Sequence, residues 1–275
     1  MISEMTDNVK IAAWVQMWAL AGLLFLCAKW MTLRPRWAAA ARPPLGRLAG
    51  YVFLWPGLDA AAFCGPARAP RPRAKEWIWA AGKTAFGAGL IWLGARWAWP
   101  AHPASAAWIA MAGLVFLLHF GAFHLVSLCW RAAGVHAAPI MRSPIAATSL
   151  GRFWGGRWNR AFTDLMQPHF FVPWAKRFGA RDAMLGVFLV SGLLHELVIS
   201  LPAGGGYGWP TAYFAVQAAG FCLERGRLGR RLGLGRGFRG WLFTVIVAAG
   251  PLPWLFHPVF VRHVILPMLR AIGAT

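Results

Sequence analysis

Charged residues are scarce in this 275-residue sequence, and acidic residues are the scarcest. Asp, Glu, Lys and Arg make up 13% of the residues, with 8 acidic side chains against 28 Lys and Arg. Soluble globular proteins carry about 25% charged residues, so this scarcity excludes an ordinary soluble domain. A disordered chain is excluded as well, because 59% of the residues are hydrophobic and 15% are aromatic. The composition is that of a membrane protein, with 18 Trp and 19 Phe available as interfacial anchors.

The excess of basic residues has a simple explanation in a membrane protein. A formal net charge of +20 would suggest a nucleic-acid partner if the chain were soluble. Here the Lys and Arg residues lie between apolar runs, so membrane topology explains them better. We therefore expect no nucleic-acid partner.

Cysteine and the common catalytic motifs are also scarce or missing. The four cysteines are far apart in apolar stretches and form no CxxC: Cys27, Cys64, Cys129 and Cys222. This excludes a disulfide framework and a zinc knuckle, and predicts buried thiols. The sequence has no GxSxG and no P-loop, and Ile199 occupies the position that HExxH would need. His119 and His124 are five residues apart, so the closely spaced histidine pairs of a di-iron site are missing. We expect no metal site.

Six apolar runs approach or exceed the length of about 20 residues that a membrane helix needs. They are residues 11–28, 77–97, 107–129, 183–201, 209–223 and 241–256. Two weaker runs remain: 48–63 is broken by Pro56-Gly57 and predicts a re-entrant or interfacial hairpin, and 258–269 predicts a short span or a surface helix. The expected fold is all-α, a polytopic transmembrane bundle of six to eight spans. With no internal repeat or linker, residues 1–275 are expected to form a single membrane domain.

The basic residues predict how this bundle is oriented. Segments 29–50, 68–75, 131–181 and 225–239 hold 23 of the 28 Lys and Arg, and loops 98–106 and 202–208 hold none. The positive-inside rule then places the N-terminus outside and the basic loops in the cytoplasm. The first ten residues have no basic run, which is not the pattern of a cleaved signal peptide. We expect a multi-pass protein of a bacterial inner membrane.

The segment 131–181 is too long to be a simple loop. Structureless loops of such length are uncommon inside a compact domain. The segment is rich in Trp, Phe and Arg, which predicts amphipathic helices at the cytoplasmic interface.

His195 is the strongest candidate for chemistry, because ionisable residues inside a span are costly and often functional. It lies more than halfway along the run 183–201, and Ser191, four residues earlier, shares its helix face. A neutral imidazole can accept a proton and so act as a general base, although a histidine in helix packing would look the same.

Glu196 points about 100° away from His195 around the helix axis. It could orient a histidine, or pair with a loop arginine in a structural ion pair.

A second cluster alternates aromatics, arginines and glycines from Ser149 to Asn159. Asn159 brings a neutral amide that can donate and accept. The predicted substrate-binding side chains here are Arg152, Trp154, Arg157, Trp158 and Arg160. The arginines suit phosphate groups. Composition alone favours a basic interfacial helix that binds anionic lipid head groups.

Together these motifs resemble a known family. Phe153-Trp-Gly-Gly-Arg-Trp-Asn159, followed by Ser191-Gly-Leu-Leu-His-Glu-Leu197, resembles the wax-synthase branch of the membrane-bound O-acyltransferases. Tyr51-Val-Phe-Leu-Trp-Pro-Gly-Leu58 is similar too, so that the family-like core covers about residues 50–225. The resemblance implies helices around a tunnel and transfer of an acyl group from acyl-CoA to a hydroxyl. It also implies that His195 is the catalytic histidine and Asn159 the second polar residue of the active site.

The residues suit that reaction. A free alcohol is a weak nucleophile, so it needs a base, for which His195 is the candidate; the developing oxyanion needs a donor. Asn159 could hold the thioester carbonyl or orient the histidine, while Ser191 and Glu196 are expected to contact substrate. A dry tunnel would disfavour hydrolysis of the thioester. No cofactor is needed beyond acyl-CoA as co-substrate, so the expected partners are acyl-CoA, a lipophilic alcohol and membrane lipids.

The sequence is compatible with three functions. The first is an acyltransferase that makes a wax ester from a long-chain alcohol. The second is an acetyltransferase for a terpenoid or another small hydrophobic alcohol. The third is a small lipid or solute transporter, although the broken segment at Pro56-Gly57 has no counterpart in the second half of the chain, as transporter repeats would require. Acyl chain length, the identity of the alcohol and the oligomeric state are left open.

Overall fold

The computed structural model describes residues 11–37 and 43–275, which are helical and contain no β-strand. Apart from a 3-10 turn at Pro144–Ala146, we number the helices in chain order. They are α1 Ala13–Trp37, α2 Leu45–Phe53, α3 Ala60–Cys64, α4 residues 74–98, α5 Pro103–Ala132, α6 residues 150–157, α7 residues 160–178, α8 Ala180–Ala203, α9 Trp209–Arg225, α10 Arg227–Leu232, α11 Gly237–Leu255 and α12 residues 258–271. The prediction of an all-α fold is confirmed for this part of the chain.

Four of these helices are long and apolar enough to cross a membrane. They are Ala13–Pro35 within α1, and α5, α8 and α11 in full. They correspond to four of the six predicted spans. Helices α4 and α9 occupy the other two, but α9 has only 17 residues and α4 carries Lys75, Glu76, Lys83 and Arg96. The bundle is therefore an integral membrane protein, and the total of six to eight spans and the tunnel remain predictions.

Helix α1 is longer than the sequence suggested. The predicted span ended at residue 28, with Lys29 as the first charge of a basic loop, but the helix continues to Trp37. Lys29 is only 1% exposed, and its Nζ donates to the carbonyls of Trp55 (2.7 Å) and Gly57 (2.6 Å). A buried ammonium needs such partners. The prediction that Lys29 begins a basic loop was wrong. Residues 1–10 and 38–42 and the side chain of Arg36 lie outside the described residues.

The broken segment near Pro56-Gly57 is held against α1 by this lysine. Helices α2 and α3 are nine and five residues long, so neither can cross a bilayer. Their connection contains the two carbonyls that Lys29 binds, and the Lys29 ammonium lies 3.6 Å from the centre of the buried Tyr51 ring. Tyr51 also shares a 2.6 Å hydrogen bond with Thr32 of α1. The 51–58 motif thus forms a bent, non-spanning segment fixed to α1.

Glycines let α4 and α5 pack closely as an antiparallel pair. A Cβ added at Gly87 would clash with the backbone of Leu117, and one added at Gly121 would clash with Thr84. Small residues allow membrane helices to approach in this way, because lipid gives them no hydrophobic drive to associate.

The described residues contain two apolar cores, and α6 lies between them. One core combines parts of α4 and α5 with α8, α9 and α12, and the other combines α1, α2, α3 and the segment before α6. Trp154 packs against the first core, and Trp158, just after α6, packs against the second. The predicted loop 131–181 is therefore largely helical, in α6 and α7. Its position at the membrane interface remains a prediction.

Candidate active site

His195 lies on α8 where this helix packs against α9. Its ring lies 4.7 Å from the ring of Phe214, centre to centre. Its Nδ1 is 2.7 Å from the carbonyl oxygen of Ser191. A carbonyl only accepts, so Nδ1 carries the proton in the neutral ring, and Nε2 is left with a lone pair. Nε2 has no hydrogen-bond partner among the described residues. The imidazole is therefore oriented and has the tautomer that a general base needs.

Ser191 contributes to this geometry through its backbone. Its hydroxyl donates to the carbonyl of Val187 (2.8 Å), one turn earlier in α8. Its carbonyl accepts from His195, and the residue is 4% exposed. Ser191 thus shares the face of His195, as its spacing indicated, and it orients the ring. A contact of Ser191 with substrate remains a prediction.

Glu196 binds the beginning of α9 instead of a charged partner. Its Oε1 accepts from the backbone N–H of Gly208 (3.0 Å), the backbone N–H of Thr211 (3.1 Å) and the Thr211 hydroxyl (2.9 Å). A carboxylate is favourable there, because the first N–H groups of a helix lack partners inside it. Its Oε2 is buried with no hydrogen bond in the described structure. Glu196 thereby joins α8 to α9 at the level of His195, and neither of its anticipated ionic partners is bonded to it.

Helix α6 brings Trp154 to the same region. The Trp154 ring lies 5.8 Å from the ring of Phe214 and 6.3 Å from that of Phe188. Trp158 points away from this contact and stacks on Phe153 at 5.7 Å. The two tryptophans of the motif therefore have different surroundings, and Trp154 is the one that reaches the neighbourhood of His195.

Asn159 is held in an unusual backbone conformation at the start of α7. Its φ is 42°, in the left-handed region that asparagine tolerates better than most residues. Its Oδ1 accepts from the backbone N–H of Phe162 (3.3 Å), and its own N–H faces the sulfur of Met141 (3.2 Å). No hydrogen bond joins Asn159 to His195 in the described structure. Since Oδ1 is occupied as a helix cap, the side-chain NH₂ is the part that remains available to a substrate.

The three arginines near Asn159 have different surroundings. Arg152 is exposed and its guanidinium has no hydrogen bond within the described residues. Arg157 donates to the carbonyls of Arg142 and Ser143, both at 3.1 Å. Arg160 lies 3.8 Å from Asp164. Burial raises the pKa of the Asp164 carboxyl to about 6, against the opposing effect of Arg160. The charge of Arg160 is thus only partly balanced by Asp164, and no acidic side chain of the described residues pairs with Arg152.

Gln217 on α9 is a residue that the sequence analysis missed. It is fully buried; its Nε2 donates to the carbonyl of Val247 (2.7 Å), and its Oε1 accepts from the indole N–H of Trp154 (3.3 Å). Val247 would normally bond to the N–H of residue 251, but Pro251 has none. The Nε2 group of Gln217 takes the place of the missing N–H as donor to the Val247 carbonyl. The amide is thereby oriented with its Oε1 toward Trp154. A lone Gln in an apolar run, with a proline in a later run, was the available signal.

We expect Gln217→Leu to destabilise the protein by about 1–2 kcal/mol, since it leaves the Val247 carbonyl without a donor in an apolar interior. The thermal midpoint of purified protein in detergent measures this. Pro251→Ala supplies the missing N–H and should restore part of the loss in the double variant. Trp154→Phe, which keeps the ring contacts, should cost less than Gln217→Leu. An unchanged midpoint in Gln217→Leu would contradict the role assigned to this amide.

Two other histidines have surroundings that differ from those of His195. His119 on α5 has a buried Nδ1 without a hydrogen bond in the described structure and lies against Phe123. His257 accepts from the backbone N–H of Phe260 and approaches Ser200 at 3.4 Å. No three His, Cys, Asp or Glu side chains of the described residues group as a metal site would require.

Comparison with known proteins identifies the segment that carries this geometry. Residues 137–216 match the Membrane bound O-acyl transferase family, and this range includes both Asn159 and His195. A probable long-chain-alcohol O-fatty-acyltransferase 2 of Arabidopsis thaliana is 32% identical over 144 aligned positions, covering 47% of this chain and 41% of the relative. A long-chain-alcohol O-fatty-acyltransferase of Simmondsia chinensis is 31% identical, covering 47% and 40%.

The name of a third relative gives a sterol, not a long-chain alcohol, as the acceptor of the acyl group. An acyl-CoA–sterol O-acyltransferase 1 of Arabidopsis thaliana is 33% identical over 91 positions, covering 30% of this chain and 26% of the relative. The chain thus spans about two fifths or less of the length of these three relatives. These comparisons confirm, over the segment that holds His195 and Asn159, the resemblance to the wax-synthase branch of the membrane-bound O-acyltransferase family.

Proposed function

We propose that this protein transfers an acyl group from acyl-CoA to the hydroxyl of a long-chain alcohol and so makes a wax ester. The observation that carries the proposal is the hydrogen bond from Nδ1 of His195 to the Ser191 carbonyl, which leaves Nε2 free to accept a proton. The family match over residues 137–216 and the names of the two plant relatives support the choice of reaction.

The proposed chemistry needs one base and one donor. Nε2 of His195 takes the proton of the alcohol while the alcohol oxygen attacks the thioester carbonyl carbon. The side-chain NH₂ of Asn159 donates to the oxyanion that forms, once substrate is bound. The carbon–sulfur bond then breaks, and His195 returns the proton to the departing CoA sulfur. The products are the ester and free CoA, and no bound cofactor or metal takes part in the proposal.

The direct test is esterification by the purified protein. Labelled palmitoyl-CoA and labelled acetyl-CoA are each offered with a panel of alcohols, and the neutral lipids are separated. We expect esters of long-chain alcohols with palmitoyl-CoA. Acetylation of terpenoids alone would favour the narrower acetyltransferase, and the absence of any ester would overturn the proposed reaction.

The orientation of the chain is part of the proposal. We predict that the N-terminus lies outside and that the segments around Arg36, Arg157 and Arg231 lie in the cytoplasm, because they belong to the basic segments. Reporter fusions after residue 205 and after Arg231 should place these two positions on opposite sides of the membrane. Labelling of the Arg231 segment from outside the cell would contradict this orientation. The location in a bacterial inner membrane also remains a proposal, since the named relatives come from plants.

We further propose that Arg152, Arg157 and Arg160 bind the phosphates of acyl-CoA. Replacing Arg152 and Arg160 by Gln should raise the KM for acyl-CoA by several-fold and leave kcat nearly unchanged, because such contacts stabilise ground and transition states alike. Steady-state kinetics with palmitoyl-CoA measure this. Lys176→Gln, a basic residue at the end of α7, is the control. A change confined to kcat, or no change, would instead favour a role in binding lipid head groups.

A further inference from the structure

An apolar groove lies between α8 and α9 next to the candidate base. Its volume is about 450 Å³, within the range of about 300–1,000 Å³ typical of small-molecule sites. Leu185, Phe188 and Leu189 form the wall on α8. Ala215 and Ala219 face them from α9 and leave the space between the helices unfilled.

The groove ends at the reaction site on one side and at a basic side chain on the other. Phe214 lines the groove and also contacts the His195 ring at 4.7 Å. Thr211 lies at the same end, and its hydroxyl proton is already donated to Glu196. Thr211 thus gives this end of the groove a polar atom, while the single O–H of an alcohol donates to Nε2 of His195 in the proposed reaction. Arg181 and Cys222 line the opposite end.

The groove opens sideways along the apolar surface of the helices. Leu189 is 54% exposed and Ala219 is exposed, so that a molecule dissolved in the bilayer can enter between them. The walls have no polar group between Thr211 and Arg181 to satisfy the amides or phosphates of CoA. An unpaired polar group would be costly there. A hydrocarbon chain with a single hydroxyl at one end matches this distribution.

We propose that the groove binds the hydrocarbon chain of the acceptor alcohol, with its hydroxyl at Thr211 and Phe214 and its tail toward Cys222. This inference rests on the proposed acyl transfer and adds the site that selects the acceptor. Eleven residues separate Thr211 from Cys222, or about 16 Å along α9 at 1.5 Å per residue. Ala219 lies two turns from Thr211, so its small side chain sets how much chain fits beyond that point.

The first experiment measures the chain-length preference. Ala219→Phe should lower the ratio of kcat/KM for hexadecanol to that for octanol by about 10-fold or more, because the ring obstructs the far half of the groove. Ala112→Phe is the matched control, since Ala112 is an exposed alanine on α5 that does not line the groove. Its ratio should equal that of the wild type. An unchanged ratio in Ala219→Phe, in an enzyme that still makes esters, would overturn the groove assignment alone.

The second experiment detects binding without turnover. Hexadecanol should slow the alkylation of Cys222 by N-ethylmaleimide in lipid nanodiscs, as followed by mass spectrometry. Cys27 and Cys129, which are exposed although the sequence predicted buried thiols, report general reagent access in the same molecule. Protection by palmitoyl-CoA but not by hexadecanol would mean that the acyl chain occupies the groove, against the proposal. Equal reactivity of Cys222 with and without hexadecanol would also overturn it. If the wild type makes no ester at all, the proposed reaction fails, and the protection of Cys222 still decides whether the groove binds an alcohol.

Discussion

His195→Ala is expected to lower kcat by about 10²–10⁴-fold, or roughly 3–5 kcal/mol of barrier, which is what general-base assistance contributes. The expectation follows from the free Nε2 of a ring whose other nitrogen is fixed at 2.7 Å to the Ser191 carbonyl. The measurement is esterification of a long-chain alcohol by purified variants, normalised to folded protein. The variant should still insert and bind acyl-CoA, since the ring makes no other polar contact in the described structure.

His263 provides a control with the same local geometry. Its Nδ1 also lies close to a backbone carbonyl, that of Ala203, at 2.8 Å, but it lies outside the segment that matches the family. His263→Ala should therefore affect stability and leave kcat within a few-fold of the wild type. His119→Ala and His124→Ala should be similarly mild, because packing roles cost stability and not chemistry. His195→Gln keeps a polar side chain without a base and should be nearly as inactive as His195→Ala.

A substantial residual activity would move the base elsewhere. If His195→Ala keeps more than about a tenth of the wild-type kcat, proton transfer does not depend on this ring. The next candidate is Glu196, whose Oε2 is buried without a hydrogen bond in the described structure. Glu196→Gln should then become the more damaging variant. Under the present proposal it should retain much of the activity, because an amide oxygen can still accept from Gly208 and Thr211.

The sequence predicted features that depend on local pattern. Long apolar runs predicted the helices that became α1, α5, α8 and α11, because burial in lipid requires about 20 apolar residues in a row. A spacing of four residues placed Ser191 and His195 on one helix face. The motif from Phe153 to Asn159 indicated the family, and the family match includes it; its part in an active site stays a prediction.

The sequence could not predict features that depend on contacts between distant helices. Lys29 looked like the first charge of a loop, because its two carbonyl partners lie 26 and 28 residues away. Two of the three partners of Glu196 are backbone N–H groups, which a sequence does not distinguish, and the third is the hydroxyl of Thr211 on the next helix. Gln217 acquires its role only because Pro251, on another helix, leaves a carbonyl unbonded. In each case the sequence shows a polar side chain in or next to an apolar run. Its hydrogen-bond partner is identified only by the fold.

The second large effect is expected at Asn159, where the structure separates two roles of one side chain. The Oδ1 atom caps α7 through the N–H of Phe162, while the NH₂ group is the proposed oxyanion donor. Asn159→Asp keeps the capping oxygen and tolerates the left-handed backbone. It replaces the NH₂ group by a second carboxylate oxygen. Loss of one oxyanion donor costs about 10²–10³-fold in kcat, so Asn159→Asp should lose activity by that factor and remain folded.

Asn159→Ala provides the comparison that distinguishes the donor from the cap. It loses the capping oxygen, at about 0.5–2 kcal/mol, and places an alanine at a φ of 42°, where an L side chain is strained. It should therefore be less stable than Asn159→Asp while showing a similar loss of kcat. Thermal midpoints and kcat measured on the same preparations test both expectations. Wild-type kcat in Asn159→Asp would show that Asn159 acts only as a helix cap, because the aspartate keeps the cap and lacks the donor. The oxyanion donor would then have to be a different group.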